Sequence, residues 1–356
     1  MQKERIHSLD VLRIFACLCI LTIHFNASMS GYSYGGFIYP NSITPNFFVE
    51  SRLYLGDIGV SIFFMLTGAS LYISTRKWYG VKNFYFKRFK SIFPCYWLMY
   101  VIATMIDFIR NKMWIVGNIK YLFASIFGMD GYIGLFYSDF YVTYKIGEWF
   151  LGCLIIIYLI YPCLLWMFDR KPIITSISIL LLYFVYQILA ENYSLPDSTV
   201  LFYLRLPEII IGMLYIKYFI NCKKMFVALS SFIIFGLAYL FRDYISNMTL
   251  CLAFCIFISI VIILIGEKIK YRAMLSVINK IARLTYPAFL VHHWLLGYLL
   301  IGFDLSTMNR SNIYLMFVVY VVLVFLLSKR LFEKATNITN FLRDFCNMRN
   351  DYNENK

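Results

Sequence analysis

The sequence predicts an all-α polytopic membrane protein with about ten transmembrane helices and both termini in the cytoplasm. Three observations lead there. The 356 residues are 61% hydrophobic and only 15% charged, with a mean hydropathy of +0.70, a balance foreign to soluble domains. Apolar runs approaching the roughly 20 residues that a span requires recur from one end of the chain to the other. The basic residues between those runs fall on alternate connections, the pattern of the positive-inside rule.

The runs lie at about 9–27, 57–74, 91–109, 147–168, 173–190, 199–221, 225–241, 248–266, 284–303 and 313–330. No small-residue cleavage site follows the first, which is therefore read as retained rather than as a signal peptide. Arg76 to Lys90, Arg170 and Lys171, Lys217 to Lys224, Lys268 to Arg283 and the C-terminal tail share a side with Lys3 and Arg5. That side holds 24 of the 33 Lys and Arg, which places it in the cytoplasm. Orientation and contact with anionic membrane lipids account for the +14 net charge, and no compact basic domain remains to bind nucleic acid. The nine cysteines show no CxxC or Cys/His metal spacing and read as small apolar packing residues. The expected organisation is a single membrane domain over 1–334 and a short charged cytoplasmic tail over 335–356, without an internal repeat or a soluble module. Two outer segments, 26–57 and 111–148, are rich in Tyr, Phe and Gly; the second has room for a short interfacial or re-entrant helix.

Polar residues inside apolar runs carry the functional information. The stretch SLDVLRIFACLCILTIHF, Ser8 to Phe25, holds Asp10, Arg13 and His24. Eleven helical residues separate Arg13 from His24, about 1100° of rotation and within about 20° of three full turns, so the two share a face about 16 Å apart along the axis. A charge at the centre of a bilayer costs about 2.5–3.5 kcal/mol, so such groups face a partner or a cavity. Arg13 can pair with Asp10 at i,i+3, and a neutral His24 can be buried with one hydrogen bond. Later, RLPEIIIGM places Arg205 and Glu208 at i,i+3 inside a run, with Pro207 expected to bend or break the helix between them. His292 and His293 stand about 100° apart on a helix, so at most one is expected to face a given cavity. With His7, the four histidines form no recognisable metal-ligand set, and no metal site is expected.

Six stretches in order resemble motifs of the acyltransferase type 3 family, integral-membrane enzymes that acylate extracytoplasmic glycans and other acceptors. SLDVLRIFACLCILTIHF is similar to the family's L-D-x-L-R followed by R-x10-H, with Arg13 and His24 in the two defining places. GVSIFFMLTGASLY (59–72) resembles its Gly-Val-x-x-Phe-Phe-x-Leu-Ser-Gly stretch. KRFKSIFPCYW (87–97) resembles its basic cluster before Ile-x-Pro-x-Tyr-Trp. WFLGCLIIIYLIYP (149–162), RLPEIIIGM (205–213) and YPAFLVHH (286–293) complete the series. Two positions depart from it. Ser91 stands where many members carry arginine, and Leu154 where members with Trp-Ser-Leu-x-x-Glu carry glutamate; the acid nearest that motif is Glu148.

The resemblance implies an acyl-CoA donor, usually acetyl-CoA, arriving from the cytoplasm, and an acceptor hydroxyl on a cell-surface polysaccharide or lipid-linked saccharide. No permanently bound cofactor is implied, and the natural home is a bacterial inner or plasma membrane. Acyl transfer to a hydroxyl requires a base, a part suited to neutral His24, which alternatively accepts the acyl group itself. The CoA phosphates call for cations, a part for Arg13, Lys87, Arg88 and Lys90. Tyr96, Glu148, Trp149, Arg205, Glu208 and His292 are the expected cavity-lining residues. The rival reading is a secondary transporter or exporter with a polar path through Arg13, Glu208 and His24, against which stands the missing repeat.

Overall fold

The computed structural model describes residues 6–29, 43, 48, 51–76, 80–111, 122–137, 146–193, 199–301, 303 and 308–354. Among these residues the chain is helical throughout, without a strand. Seven helices are long and apolar enough to cross a bilayer: His7–Met29, Leu55–Thr75, Val81–Arg110, Glu148–Arg170, Pro172–Ala190, Asn247–Glu267 and Arg310–Phe341. Their outward faces carry exposed Leu181, Leu182, Ile188, Leu315 and Val318, as lipid-facing helices do. The protein is a multi-pass membrane protein.

The other three expected runs do not form single long helices. Lys224–Leu240 is apolar but has 17 residues. The run 199–221 is divided into a 3-10 turn Phe202–Arg205, an α-helix Leu206–Leu214 and a π-helical turn Tyr215–Phe219. Pro207 sits in the first turn of that α-helix, where its missing N–H and fixed φ are tolerated, so the helix starts at the proline instead of running through it. The run 284–303 holds the 15-residue helix Thr285–Leu299, preceded by a separate helix Arg272–Arg283.

Two boundaries differ from expectation. Helix Val81–Asn111 starts well before 91, so Lys87, Arg88 and Lys90 ride on the helix itself, and Pro94 lies inside it rather than at its start. The last helix, Arg310–Glu354, continues through the expected polar tail. Segment 111–148 contains two short helices, Leu122–Ile126 and Asp130–Ile133, and most of segment 26–57 lies outside the described residues.

The chain divides into two compact units. One comprises 1–78, 159–285 and 300–318, the other 79–158, 286–299 and 319–356. In the first, helices His7–Met29, Leu55–Thr75 and Asn247–Glu267 bury Leu12, Ala16, Ile58, Ile62, Leu250 and Cys255 against one another. Helix Leu206–Leu214 approaches Leu55–Thr75 so closely that a Cβ on Gly68 would stand 2.0 Å from the carbonyl oxygen of Ile209, and one on Gly212 would stand 2.0 Å from that of Met65. Two glycines, one from each helix, thus permit direct backbone packing where lipid supplies no hydrophobic drive between helices. In the second unit, Ile92, Tyr96, Met99, Leu151, Leu290, Val291 and Leu331 form the core. Tyr286 donates its hydroxyl to the carbonyl of Ile92 at 3.1 Å, tying helix Thr285–Leu299 to helix Val81–Asn111.

Candidate functional site

In the first unit, helix His7–Met29 carries Asp10, Arg13 and His24 without interruption. Arg13 Nη1 donates to Asp10 Oδ1 at 3.0 Å, the i,i+3 pair expected from the spacing, and Arg13 Nη2 donates to Ser70 Oγ at 3.2 Å. Asp10 is buried while Arg13 keeps 27% of its side-chain exposure. The guanidinium is therefore oriented from two sides yet remains reachable. His24 is half-buried near the C-terminal end of the same helix.

Arg205 and Glu208 also pair as expected, but within a larger closed network. Arg205 Nη1 donates to Glu208 Oε1 at 3.0 Å and to Ser61 Oγ at 3.1 Å, and Ser61 Oγ donates to Glu208 Oε1 at 3.1 Å. Arg205 Nε donates to the Thr199 carbonyl at 2.8 Å, and Asp57 Oδ1 lies 3.9 Å from Nη2. With side-chain exposures of 0% and 1%, Arg205 and Glu208 are wholly buried. A guanidinium held by this many internal acceptors is organised to fasten helix Leu206–Leu214 to helix Leu55–Thr75.

In the second unit the three basic residues of helix Val81–Asn111 separate. Lys87 and Lys90 are exposed, and Lys90 Nζ stands 4.2 Å over the Phe86 ring. Arg88 is half-buried, its guanidinium carbon 5.8 Å from the Phe84 ring centroid and 5.9 Å from that of Tyr158, and its Nε has no hydrogen-bond partner among the described residues. A half-buried cation bracketed by rings with a donor still to satisfy suits a phosphate oxygen. Two turns on, Tyr96 is fully buried and donates to the Ser125 carbonyl at 2.6 Å. Ser125 Oγ in turn donates to Asp130 Oδ2 at 2.8 Å, and the Gly131 N–H donates to Asp130 Oδ1 at 2.9 Å. Burial raises the Asp130 carboxyl above the usual range, and those two hydrogen bonds pull it part of the way back.

Glu148 opens helix Glu148–Arg170 with φ +34°, directly after Gly147 at φ +89°. Positive φ is costly for a residue with a side chain and recurs at ligand clamps and active sites. Gly131 packs on this turn so tightly that a Cβ there would lie 2.8 Å from the Glu148 carbonyl carbon. The turn aims the carboxylate at helix Thr285–Leu299: Glu148 Oε1 lies 3.0 Å from His293 Nδ1 and 3.5 Å from His292 Nε2. Both histidines thus address one oxygen, contrary to the expectation that only one would face a given point. Two side chains 100° apart can bracket a single atom when it lies between their directions. Trp149, the next residue, is half-buried and packs edge-on against Phe150 at 6.3 Å.

Sequence reasoning missed Ser61, Ser70, Asp57 and Asp130, and it set His293 aside in favour of His292. Ser70 falls within the quoted 59–72 stretch, yet no spacing rule links it to Arg13, 57 residues away. The contact between position 148 and positions 292 and 293 likewise has no local signature.

A family model described as an acyltransferase domain matches residues 6–329, nearly the whole chain. No curated protein and no solved structure matches the chain.

Proposed function

Because the chain belongs to the acyltransferase family and is a multi-pass membrane protein, we propose that it moves an acyl group, acetyl in the simplest case, from acyl-CoA at the cytoplasmic face to a hydroxyl of a saccharide presented outside. In this reading both termini lie in the cytoplasm, the membrane is a bacterial inner or plasma membrane, and the acceptor belongs to a cell-surface polysaccharide or a lipid-linked saccharide.

The observation that carries the reading is the single uninterrupted helix bearing an oriented, partly exposed Arg13 and a half-buried His24. Their face-sharing separation of about 16 Å suits a division in which the cation serves the donor and the imidazole serves the acceptor. His24 takes the proton of the acceptor hydroxyl as its oxygen attacks the thioester carbonyl. The carbon–sulfur bond then breaks, and the CoA thiolate leaves and recovers a proton. A positioned base of this kind contributes on the order of 10²–10⁴ in rate. Asp10 fixes Arg13 for a phosphate of the donor. Within the second unit, considered by itself, Arg88 suits a phosphate oxygen and exposed Lys87 and Lys90 add long-range attraction for an anionic donor.

The test is transfer of radiolabelled acetyl from acetyl-CoA into surface saccharide by membranes holding matched amounts of wild type, His24→Ala or Arg88→Ala. Wild-type label should disappear with His24→Ala, while Arg88→Ala should raise the KM for acetyl-CoA about tenfold or more through loss of a charge-assisted contact. Full transfer by His24→Ala would remove His24 from the chemistry. Label trapped on the protein in the absence of acceptor would identify His24 as an acyl carrier instead of a base.

A further inference from the structure

We propose that Glu148, His292 and His293 form a binding site for one divalent cation of the zinc class, with two imidazole nitrogens and one carboxylate oxygen as ligands. The inference stands on the geometry of the second unit and not on the identity of the acyl donor or acceptor.

The ring of His292 supplies the first argument. Its Nδ1 lies 2.6 Å from the Phe289 carbonyl oxygen. A carbonyl only accepts, so Nδ1 carries the hydrogen, and in the neutral ring Nε2 presents its lone pair. That lone pair faces Glu148 Oε1 at 3.5 Å. Two acceptors face to face call for a positive charge between them, a proton or a metal ion. The backbone hydrogen bond on the far nitrogen is also the arrangement that orients metal-ligating histidines and fixes their tautomer.

The separations supply the second. A tetrahedral ion with bonds of about 2.0–2.1 Å to nitrogen and oxygen holds its ligand atoms about 3.3–3.4 Å apart. The distances from Glu148 Oε1 to the two ring nitrogens, 3.0 and 3.5 Å, bracket that value. The three ligand atoms all lie within 4.8 Å of one another. A third argument is the strained turn: φ +34° at Glu148 after Gly147 at +89° is maintained by the packing of Gly131 and places the carboxylate between the two rings.

The donor set selects the ion. Two imidazoles and a carboxylate suit zinc or another first-row transition metal, whereas magnesium and calcium take oxygen ligands. His292 is fully buried and Glu148 is 12% exposed, but His293 keeps 29%, so an ion reaches the pair from the His293 side. When the ion enters, the proton on His293 Nδ1 that bonds to Glu148 moves to Nε2, and any imidazolium in the pair releases one proton.

The experiment uses the full chain purified in detergent, stripped with a chelator, incubated with zinc and freed of excess. Bound zinc is counted by elemental mass spectrometry in wild type, Glu148→Gln, His293→Gln and the control His7→Ala, whose ring meets Asn279 in the other unit. About one zinc per chain is expected for wild type and His7→Ala, with affinity at least about tenfold weaker in the other two. Absence of retained zinc in wild type, or equal retention in all four proteins, would overturn the site and leave a proton between His292 and Glu148. Should Glu148→Gln fail to fold, cobalt(II) loaded into stripped wild type decides the matter. The visible absorption of tetrahedral cobalt supports the site, and the spectrum of the free aquo ion refutes it.

Discussion

Replacing Arg205 with methionine removes the guanidinium from a site of zero exposure while keeping an unbranched side chain of comparable length. Glu208 then loses its partner at 3.0 Å, Ser61 loses a donor at 3.1 Å, and the Thr199 carbonyl loses one at 2.8 Å. Asp57, 3.9 Å from the guanidinium and 27% exposed, can turn to solvent, but Glu208, 1% exposed, cannot. Breaking a buried pair from one side costs about 3–5 kcal/mol because it leaves an uncompensated buried charge. Unfolding entropy of about 2.1 cal/mol/K per residue makes 1 kcal/mol worth about 1.3 °C in a chain of 356 residues, so Tm should fall by about 4–7 °C. The assay is thermal unfolding in detergent followed by size-exclusion chromatography, with Arg330→Ala as the control. The Arg330–Glu333 pair lies at 3.7 Å with Arg330 81% exposed, and its loss should not be measurable. The double variant Arg205→Met with Glu208→Leu removes both charges and should regain a substantial part of the lost stability. Equal Tm values for Arg205→Met and Arg330→Ala, or additive losses in the double variant, would refute the argument that the pair fastens the two helices.

Gly68→Ala brings a Cβ to 2.0 Å from the Ile209 carbonyl oxygen and should force the two helices apart, lowering Tm by more than Gly236→Ala, where a Cβ meets open space; the two can be compared in the same melt. Ser70→Ala removes a contact that orients Arg13 and should raise the acyl-donor KM severalfold with little change in kcat, read from initial rates at saturating acceptor. The raised carboxyl of Asp130 favours the protonated form in the folded segment, so its contribution to stability is complete below the unfolded carboxyl value near 3.9 and is lost as pH rises through the folded value. Hydrogen exchange of 122–133 should therefore quicken, beyond the intrinsic pH effect, as pH rises through that window, and Asp130→Asn should flatten the response.

Much of the fold was legible because helix formation in a bilayer follows from local composition. The expected run 9–27 became His7–Met29, and 248–266 became Asn247–Glu267. Boundaries set by amphipathic sequence were less legible: Val81 to Lys90 carries charges that hydropathy excludes from a span, yet Phe84 is fully buried and draws the stretch into the helix. Of the site, the pairs Asp10–Arg13 and Arg205–Glu208 were legible because i,i+3 geometry is a property of any helix. His293 was set aside by the same periodicity, since angular separation on one helix says nothing about where a partner on another will stand.

By itself, then, the sequence determined that this is a membrane-embedded helical acyltransferase, because hydropathy sums over about 20 neighbouring residues and its motifs are short and local. Only the tertiary structure decided that Ser70 meets Arg13, that Asp57 and Ser61 close around Arg205, and that Glu148 meets two histidines more than a hundred residues away. Those meetings depend on how closely helices approach, which at Gly68 and Gly212 is set by the absence of a side chain, and on one strained turn at Glu148. Neither is encoded in the spacing of polar residues along a single helix.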